Sequence, residues 1–208
     1  MSLIFSSAGL RFKNLITYPE IKIAEESFSF MLGKSGCGKS TYLKILNRTV
    51  LPAAGIISYR GKEIQSFPVL AYRQEVMLVP QEVFLFDGTI RENFHNYSIA
   101  REKEPLPDKE ILQFLQLCCA DFALDSQCRS LSGGERQRVF LSIFLSCLPR
   151  VLLLDEPTAA LDERTSQELL ANIKAFCKKE KITTLCVCHN EELVQRFSDD
   201  TVRLEGKA

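Results

Sequence analysis

The sequence predicts an α/β fold with a mostly parallel sheet, and three features of the 208-residue chain carry that expectation. Four short apolar runs, SFSFML (27–32), VMLVP (76–80), VLLL (151–154) and TTLCVC (183–188), are continuous rather than alternating, as in strands covered on both faces. Helix-like segments separate most of these runs, and that alternation implies parallel pairing. From Thr89 to about Leu148 there is no strand-like run, so helices alone are expected there.

The first run ends at Gly33, and Lys39 to Leu46 then reads as a helix. GIISYRGKEI (55–64) reads as a strand, a turn and a short strand, which places an antiparallel β portion in the N-terminal part. Pro80 stops the strand at 76–80, because proline cannot donate to a ladder. The charged stretch AREKEPLPDKE (100–110), with two prolines, reads as an exposed connector, and DKEILQFLQLCC (108–119) reads as a helix. Another helix opens at Ser132 and ends before Pro149. After the strand at 151–154, an amphipathic helix runs from about Arg164 to Lys179, and TTLCVC follows it. The expected organisation is one domain over 1–208, with an α/β core at about 1–88 and 149–208 and a helical subdomain inserted at about 89–148. The sequence has no internal repeat and no low-complexity tract.

Composition narrows the function. Lys and Arg number 26 against 26 Asp and Glu, so the basic excess of a general nucleic-acid binder is missing. The most apolar stretch, Val139 to Leu154, is broken by serines, Pro149 and Arg150, and falls short of the ~18 apolar residues of a spanning helix. MSLIFSSAGLRF lacks the basic start and long apolar core of a signal peptide. The eight cysteines are read as reduced, buried thiols rather than a disulfide framework. Cys186, Cys188 and His189 lie on one strand with no second cysteine pair at zinc spacing, so no metal is expected there.

Three motifs carry the chemistry. Gly33-Lys34-Ser35-Gly36-Cys37-Gly38-Lys39-Ser40 fits G-x-x-x-x-G-K-[ST] between a strand and a helix, the arrangement of a P-loop NTPase core. Its glycines let backbone N–H groups turn in around phosphate oxygens, and the helix N-terminus aims its positive end at the same anion. Lys39 is placed to reach the β- and γ-phosphates and Ser40 to ligate Mg²⁺. At the end of VLLLDEP (151–157), Asp155 supplies a metal carboxylate and Glu156 a general base. Ser132 with Glu135 forms a capping box, and the paired Gly133 and Gly134 beside it leave bare N–H groups at a second helix N-terminus. One chain thus holds two half-sites for a nucleotide, which suggests two copies meeting head to tail.

With these residues in place the chain resembles the ATP-binding cassette (ABC) ATPases, from about Leu10 to Leu204. GKSGCGKST (33–41, so including Thr41) is similar to Walker A, LSGGERQR (131–138) to the family signature and VLLLDEP to Walker B. Ala160-Leu161-Asp162 resembles the D-loop, Gln81 the Q-loop glutamine that senses Mg²⁺ and meets a membrane subunit, and His189 the switch histidine. The resemblance implies catalytic roles for Glu156, His189, Gln81 and Lys39, Mg²⁺ ligation by Ser40, Gln81 and Asp155, and ATP bound between Walker A and Ser132, Gly133 and Gly134 of a second copy. It implies a homodimer that drives a separate polytopic membrane subunit from the cytoplasmic face of the membrane. An aromatic residue that stacks on adenine is expected upstream. Phe12 and Tyr18 are the candidates, Phe12 preferred, with core packing the alternative for either. Gln81 to Asn93 is similar to the Q…LF-x-G-T-I-x-x-N run of exporter cassettes, and the compact length is similar to cassettes assigned to iron efflux. Phe84, Leu85 and Phe86 are expected either to line a groove for that subunit or, for at least two of them, to pack in the core. A soluble cassette acting on DNA or ribosomes is the competing reading. Too few positions separate Lys39 from Ser132 for the coiled coil of the DNA-repair members, and there is one cassette rather than two.

Overall fold

A computed structural model describes residues 2–13 and 15–204. In chain order, β1 (Leu3–Phe12), β2 (Ile16–Thr17) and β3 (Ile21–Ala24) precede β4 (Phe28–Gly33) and α1 (Lys39–Leu46). There follow β5 (Ala54–Tyr59), β6 (Lys62–Glu63), α2 (Val69–Glu75) and β7 (Val76–Val79). Then come α3 (Ile90–Ile99), α4 (Asp108–Leu117) and α5 (Gly133–Ser146). The chain continues through β8 (Val151–Asp155), α6 (Glu163–Lys179), β9 (Thr183–Val187), α7 (Glu191–Phe197) and β10 (Asp200–Leu204).

Two sheets result. β1 pairs antiparallel with β2, β3 and β5, and β5 with β6. The second sheet has the order β10–β4–β9–β8–β7 with every pairing parallel. Between α3 and α5 the only strand-type pairing among the described residues is a single bridge, Thr89 to Gln127.

The continuous apolar runs have the meaning their pattern implies. On β8, Leu152 and Leu154 enter one core while Val151 and Leu153 enter the other. On β9, Cys186 faces the first core and Leu185 and Val187 the second. The second core fills the space between the two sheets, with Phe5, Ile23, Tyr59 and Met31. The first holds residues of α3 to α7, among them Phe94, Leu115, Phe140 and Leu170. Each such side chain contributes about 1.5–3 kcal/mol by leaving water. All eight cysteines are free thiols, and five are buried. Burial pushes the Cys177 thiol up to about 11, so it behaves as a small apolar residue.

Candidate functional site

The C-terminal ends of β4, β7, β8 and β9 lie along one edge of the parallel sheet, where ligands of open α/β sheets bind. β4 delivers the glycine loop. Gly36 has φ 78° and Gly38 φ 100°. A Cβ on Gly38 would lie 2.8 Å from Ile16 Cδ1 and 2.9 Å from the Tyr18 hydroxyl, so glycine is required by both backbone and space. At Gly36 nothing lies within 4 Å of that position, which leaves the mouth of the loop open. Lys39 opens α1 and is 5% exposed. Its ammonium donates to the carbonyls of Gly33 (2.8 Å) and Lys34 (3.1 Å), at the base of the cradle.

β8 delivers the carboxylates. The Ser40 hydroxyl donates to Asp155 Oδ1 at 2.9 Å across 115 residues of sequence. Burial raises the Asp155 pKa above its ordinary 3.8, and the Ser40 bond lowers it only in part. A buried carboxylate of this kind favours a cation, and Ser40 with Asp155 forms an oxygen pair suited to Mg²⁺, which completes its shell with water and phosphate. Among the described residues no group of three or more His, Cys, Asp or Glu is placed to hold a metal ion. An acid with a raised folded pKa opposes folding when ionised; the penalty is complete above that pKa and gone below 3.8. Asp155→Asn is therefore expected to raise the Tm of the ligand-free chain at neutral pH, with the gain fading as pH falls. In the same melts Mg²⁺–ATP should stabilise the wild type and not the variant. A lower Tm on substitution would contradict the role of burial.

Beside this pair the sheet gathers a second cluster. Glu156 Oε1 lies 2.8 Å from His189 Nε2, just past β9, and Oε2 accepts from Gln81 Nε2, just past β7, at 3.1 Å. Gln81 thus sits on Glu156, and no bond joins it to the Ser40–Asp155 pair among the described residues. Glu156 has φ 53°, in the left-handed region where a side chain costs about 1–2 kcal/mol. Its N–H donates to the Val187 carbonyl (3.1 Å), and its own carbonyl accepts from Gln137 Nε2 at 3.1 Å. Gln137 lies within the LSGGERQR run (131–138), where the sequence alone assigns it no individual role.

The signature turn is separate from both clusters. Ser132 caps α5, Oγ accepting from Glu135 N–H (3.4 Å) while Glu135 Oε2 accepts from Ser132 N–H (2.7 Å). That backbone donor holds the Glu135 carboxyl below its ordinary range. Ser132 and Gly133 are exposed, and a Cβ on Gly133 would meet nothing within 4 Å, so the helix N-terminus is open. Gly134 is instead tight, with a Cβ position 2.8 Å from the Ala160 carbonyl. Asp162 caps α6, accepting from the Thr165 N–H at 2.9 Å.

The aromatic candidates divide. Tyr18 is 3% exposed and donates to the Gly38 carbonyl at 3.1 Å; burial pushes its hydroxyl up to about 12, and it braces the loop from below. Phe12 is half-buried, in register with Ile16 at the rim of the loop, with the Lys13 ammonium 5.3 Å from its ring. The expectation that at least two of Phe84, Leu85 and Phe86 pack in the core is overturned. Leu85 is buried, but Phe84 and Phe86 are 59% and 38% exposed. The cause lies in the run that follows. Asn93, fully buried, accepts from the Phe86 N–H (2.8 Å) and donates to the Phe86 and Thr89 carbonyls, while Thr89 and Glu92 form a capping box on α3. This frame holds the loop outward. Phe84 packs on Phe86 (5.1 Å between centroids), Phe86 on Tyr97, and Tyr97 on Phe140 and Phe144 of α5.

Comparison with known proteins places this geometry. A family model described as "ABC transporter" matches residues 18–159. The probable iron export ATP-binding protein FetA of Escherichia coli (strain K12) is 34% identical over 182 residues, covering 87% of this chain and 80% of its own length. ABC multidrug transporter E of Aspergillus fumigatus is 33% identical over 203 residues, which is 93% of this chain but 16% of that protein. Other curated relatives are matched over about half their length, 49% and 54% in two cases. The solved dimeric cassette MJ0796, a bacterial ABC transporter cassette, superimposes with a TM-score of 0.84 at 22% identity, over 97% of this chain and 94% of that one, a likeness of fold.

Proposed function

Because the chain belongs to the ABC transporter family, we propose that it is the ATP-binding and ATP-hydrolysing subunit of a transporter, working as a homodimer around two ATP. The observation that carries this is Glu156, bonded to both His189 and Gln81 beside the Ser40–Asp155 pair. Lys39 and the N–H groups of 33–41 bind the phosphates, and Ser40 and Asp155 are the protein's share of the Mg²⁺ shell. Mg²⁺, when bound, offsets the charge on the phosphates. Glu156 accepts the proton of the attacking water, and His189 and Gln81, one on each oxygen, hold its carboxylate in place for that step. Phe12 is the proposed adenine contact. Ser132, Gly133 and Gly134 of one copy close the site of the other, extending to this chain the dimeric arrangement of a cassette with the same fold.

No helix among the described residues is long and apolar enough to cross a membrane. The reading also includes a separate polytopic subunit, with this chain peripheral on the cytoplasmic face. Export is the proposed direction, from the Gln81–Asn93 run and the likeness to a probable iron export ATP-binding protein. Exposed Phe84 and Phe86 are the proposed contact with that subunit, since exposed aromatic pairs on a rigid frame favour a partner. The test is co-purification of a polytopic membrane protein with the tagged chain from detergent-solubilised membranes of its source cells, together with Mg²⁺-dependent ATPase activity that EDTA abolishes. Phe84→Asp with Phe86→Asp is expected to lower recovery of the complex at least about tenfold, as loss of an interfacial anchor does, with ATP binding by the isolated chain retained. Undiminished recovery would move the contact elsewhere, and the absence of ATPase activity would overturn the enzyme reading.

A further inference from the structure

Gln137 lies on the second turn of α5, and three observations set it apart. It is 8% exposed, its Nε2 donates to the Glu156 carbonyl at 3.1 Å, and its Oε1 is buried without a hydrogen-bond partner. A buried amide retained with half its capacity unused costs about 1–3 kcal/mol, so a packing role alone does not account for it. An apolar side chain of the same length would fill the space without that cost.

What Gln137 holds explains the choice. Glu156 occupies a left-handed conformation, φ 53°, that an L side chain adopts at a cost. Three backbone bonds keep it there: Glu156 N–H to Val187 O at 3.1 Å, Ala159 N–H to Glu156 O at 3.2 Å, and the Gln137 bond. Of these, only the Gln137 bond comes from another layer of the fold. It sets the peptide that follows Glu156 and hence the direction in which the carboxylate leaves the backbone.

The same face of α5 touches the next loop. Gly134, three residues before Gln137 and so on the same face, approaches the Ala160 carbonyl so closely that a Cβ would lie 2.8 Å from it. The helix whose open N-terminus carries Ser132 and Gly133 is thus anchored at two points to the strand end of its own Glu156.

We infer that Gln137 is a positioning residue for hydrolysis: its side-chain amide fixes Glu156 in the orientation that activates water and ties that orientation to the position of α5. Movement of α5, when a nucleotide on a second copy engages Ser132–Gly134, is thereby felt at Glu156 of the same chain. The inference rests on the proposed reading of Glu156 as the general base. A base displaced by a fraction of an ångström loses rate and not affinity, because binding depends on the loop at 33–41.

The experiment is steady-state kinetics of the full chain with Gln137→Met, of equal reach without a donor, and Gln137→Asn, which keeps the donor but falls one carbon short. Both are expected to lower kcat about 10–100-fold, the scale of a misplaced catalytic group, with KM for ATP within about twofold and ATP-driven dimerisation retained. Tm of the Met variant should equal or exceed that of the wild type. Wild-type hydrolysis abolished by Glu156→Gln reports on the underlying reading separately. With that in hand, wild-type kcat in either variant overturns the inference. So does a parallel loss of kcat, KM and dimerisation, which marks a merely structural residue.

Discussion

Glu156→Gln is expected to lower kcat for ATP hydrolysis by about 10²–10⁴-fold, the range of a general base, while the chain still binds ATP and accumulates as a dimer in its presence. The substitution replaces one carboxylate oxygen by an amide in a side chain whose place is otherwise fixed. His189 Nε2 lies 2.8 Å from one oxygen and Gln81 Nε2 3.1 Å from the other, and the backbone is held by Val187 and Gln137. An amide of the same shape keeps a carbonyl acceptor for one partner and has no basicity with which to take a proton from water. The charge change acts in the same direction on assembly. Glu156 adds to the forces that raise the pKa of Asp155, so removing it relieves crowding of negative charge where phosphates must bind. Single-turnover hydrolysis and light scattering at saturating Mg²⁺–ATP measure the two halves of the prediction. A variant that turns over at a tenth of the wild-type rate, or that remains monomeric with ATP, contradicts it.

The way this cluster forms shows what the sequence discloses. Gln81, Glu156 and His189 are far apart in the chain, yet each immediately follows a strand of the parallel sheet, β7, β8 and β9, which are adjacent in space. Apolar runs covered on both faces are legible because they leave no alternation, and a parallel sheet brings their C-terminal ends to one edge. Elements with a wet face were harder to read. β10 has one buried residue, Leu204, at its end. β1 runs through Ser6, Ser7 and Gly9 with an irregularity in its pairing, so neither presents a clean period. α2 and α7 are seven residues each, too short for a helical stripe, although Asn190 before Glu191 and Glu192 is a capping signal for α7. For Phe84 and Phe86 the sequence leaves groove and core both open, because hydrophobicity alone does not separate them. Their exposure is decided by Asn93, whose amide holds the Phe86 backbone from seven residues away. Gln137 lies inside the LSGGERQR run, but its contact is not legible there for a related reason: its partner is a backbone carbonyl, oriented by a left-handed residue that no side-chain pattern announces.

Ser132→Arg is expected to reduce ATPase activity per chain at least about tenfold, the scale on which removal of a preorganised donor to developing charge operates, while leaving ATP affinity of the single chain intact. The wild-type serine is exposed at the open N-terminus of α5, far in sequence from Lys39 and the glycine loop. In the proposed dimer it faces the nucleotide held by the other copy. An arginine there fills the gap with a long side chain and sets its positive charge at the positive end of the helix. It also removes the cap that binds the Glu135 N–H, a loss of about 1 kcal/mol, which lowers Tm by about 2–4 °C in a chain of this size. That cost is too small to unfold the domain, and Ser132→Asn separates it from the block, because asparagine caps as well as serine without reaching across the interface. The two half-sites of one chain therefore make distinct demands. Lys39→Ala should abolish nucleotide binding by the isolated chain, and Ser132→Arg should spare that binding while removing the concentration-dependent hydrolysis that a shared site requires. A mixture of the two variants then forms one composite site from the arginine chain's intact Lys39 and the alanine chain's intact Ser132. Partial recovery of turnover on mixing is the expected result, and full activity of Ser132→Arg alone would place the whole of catalysis within one copy.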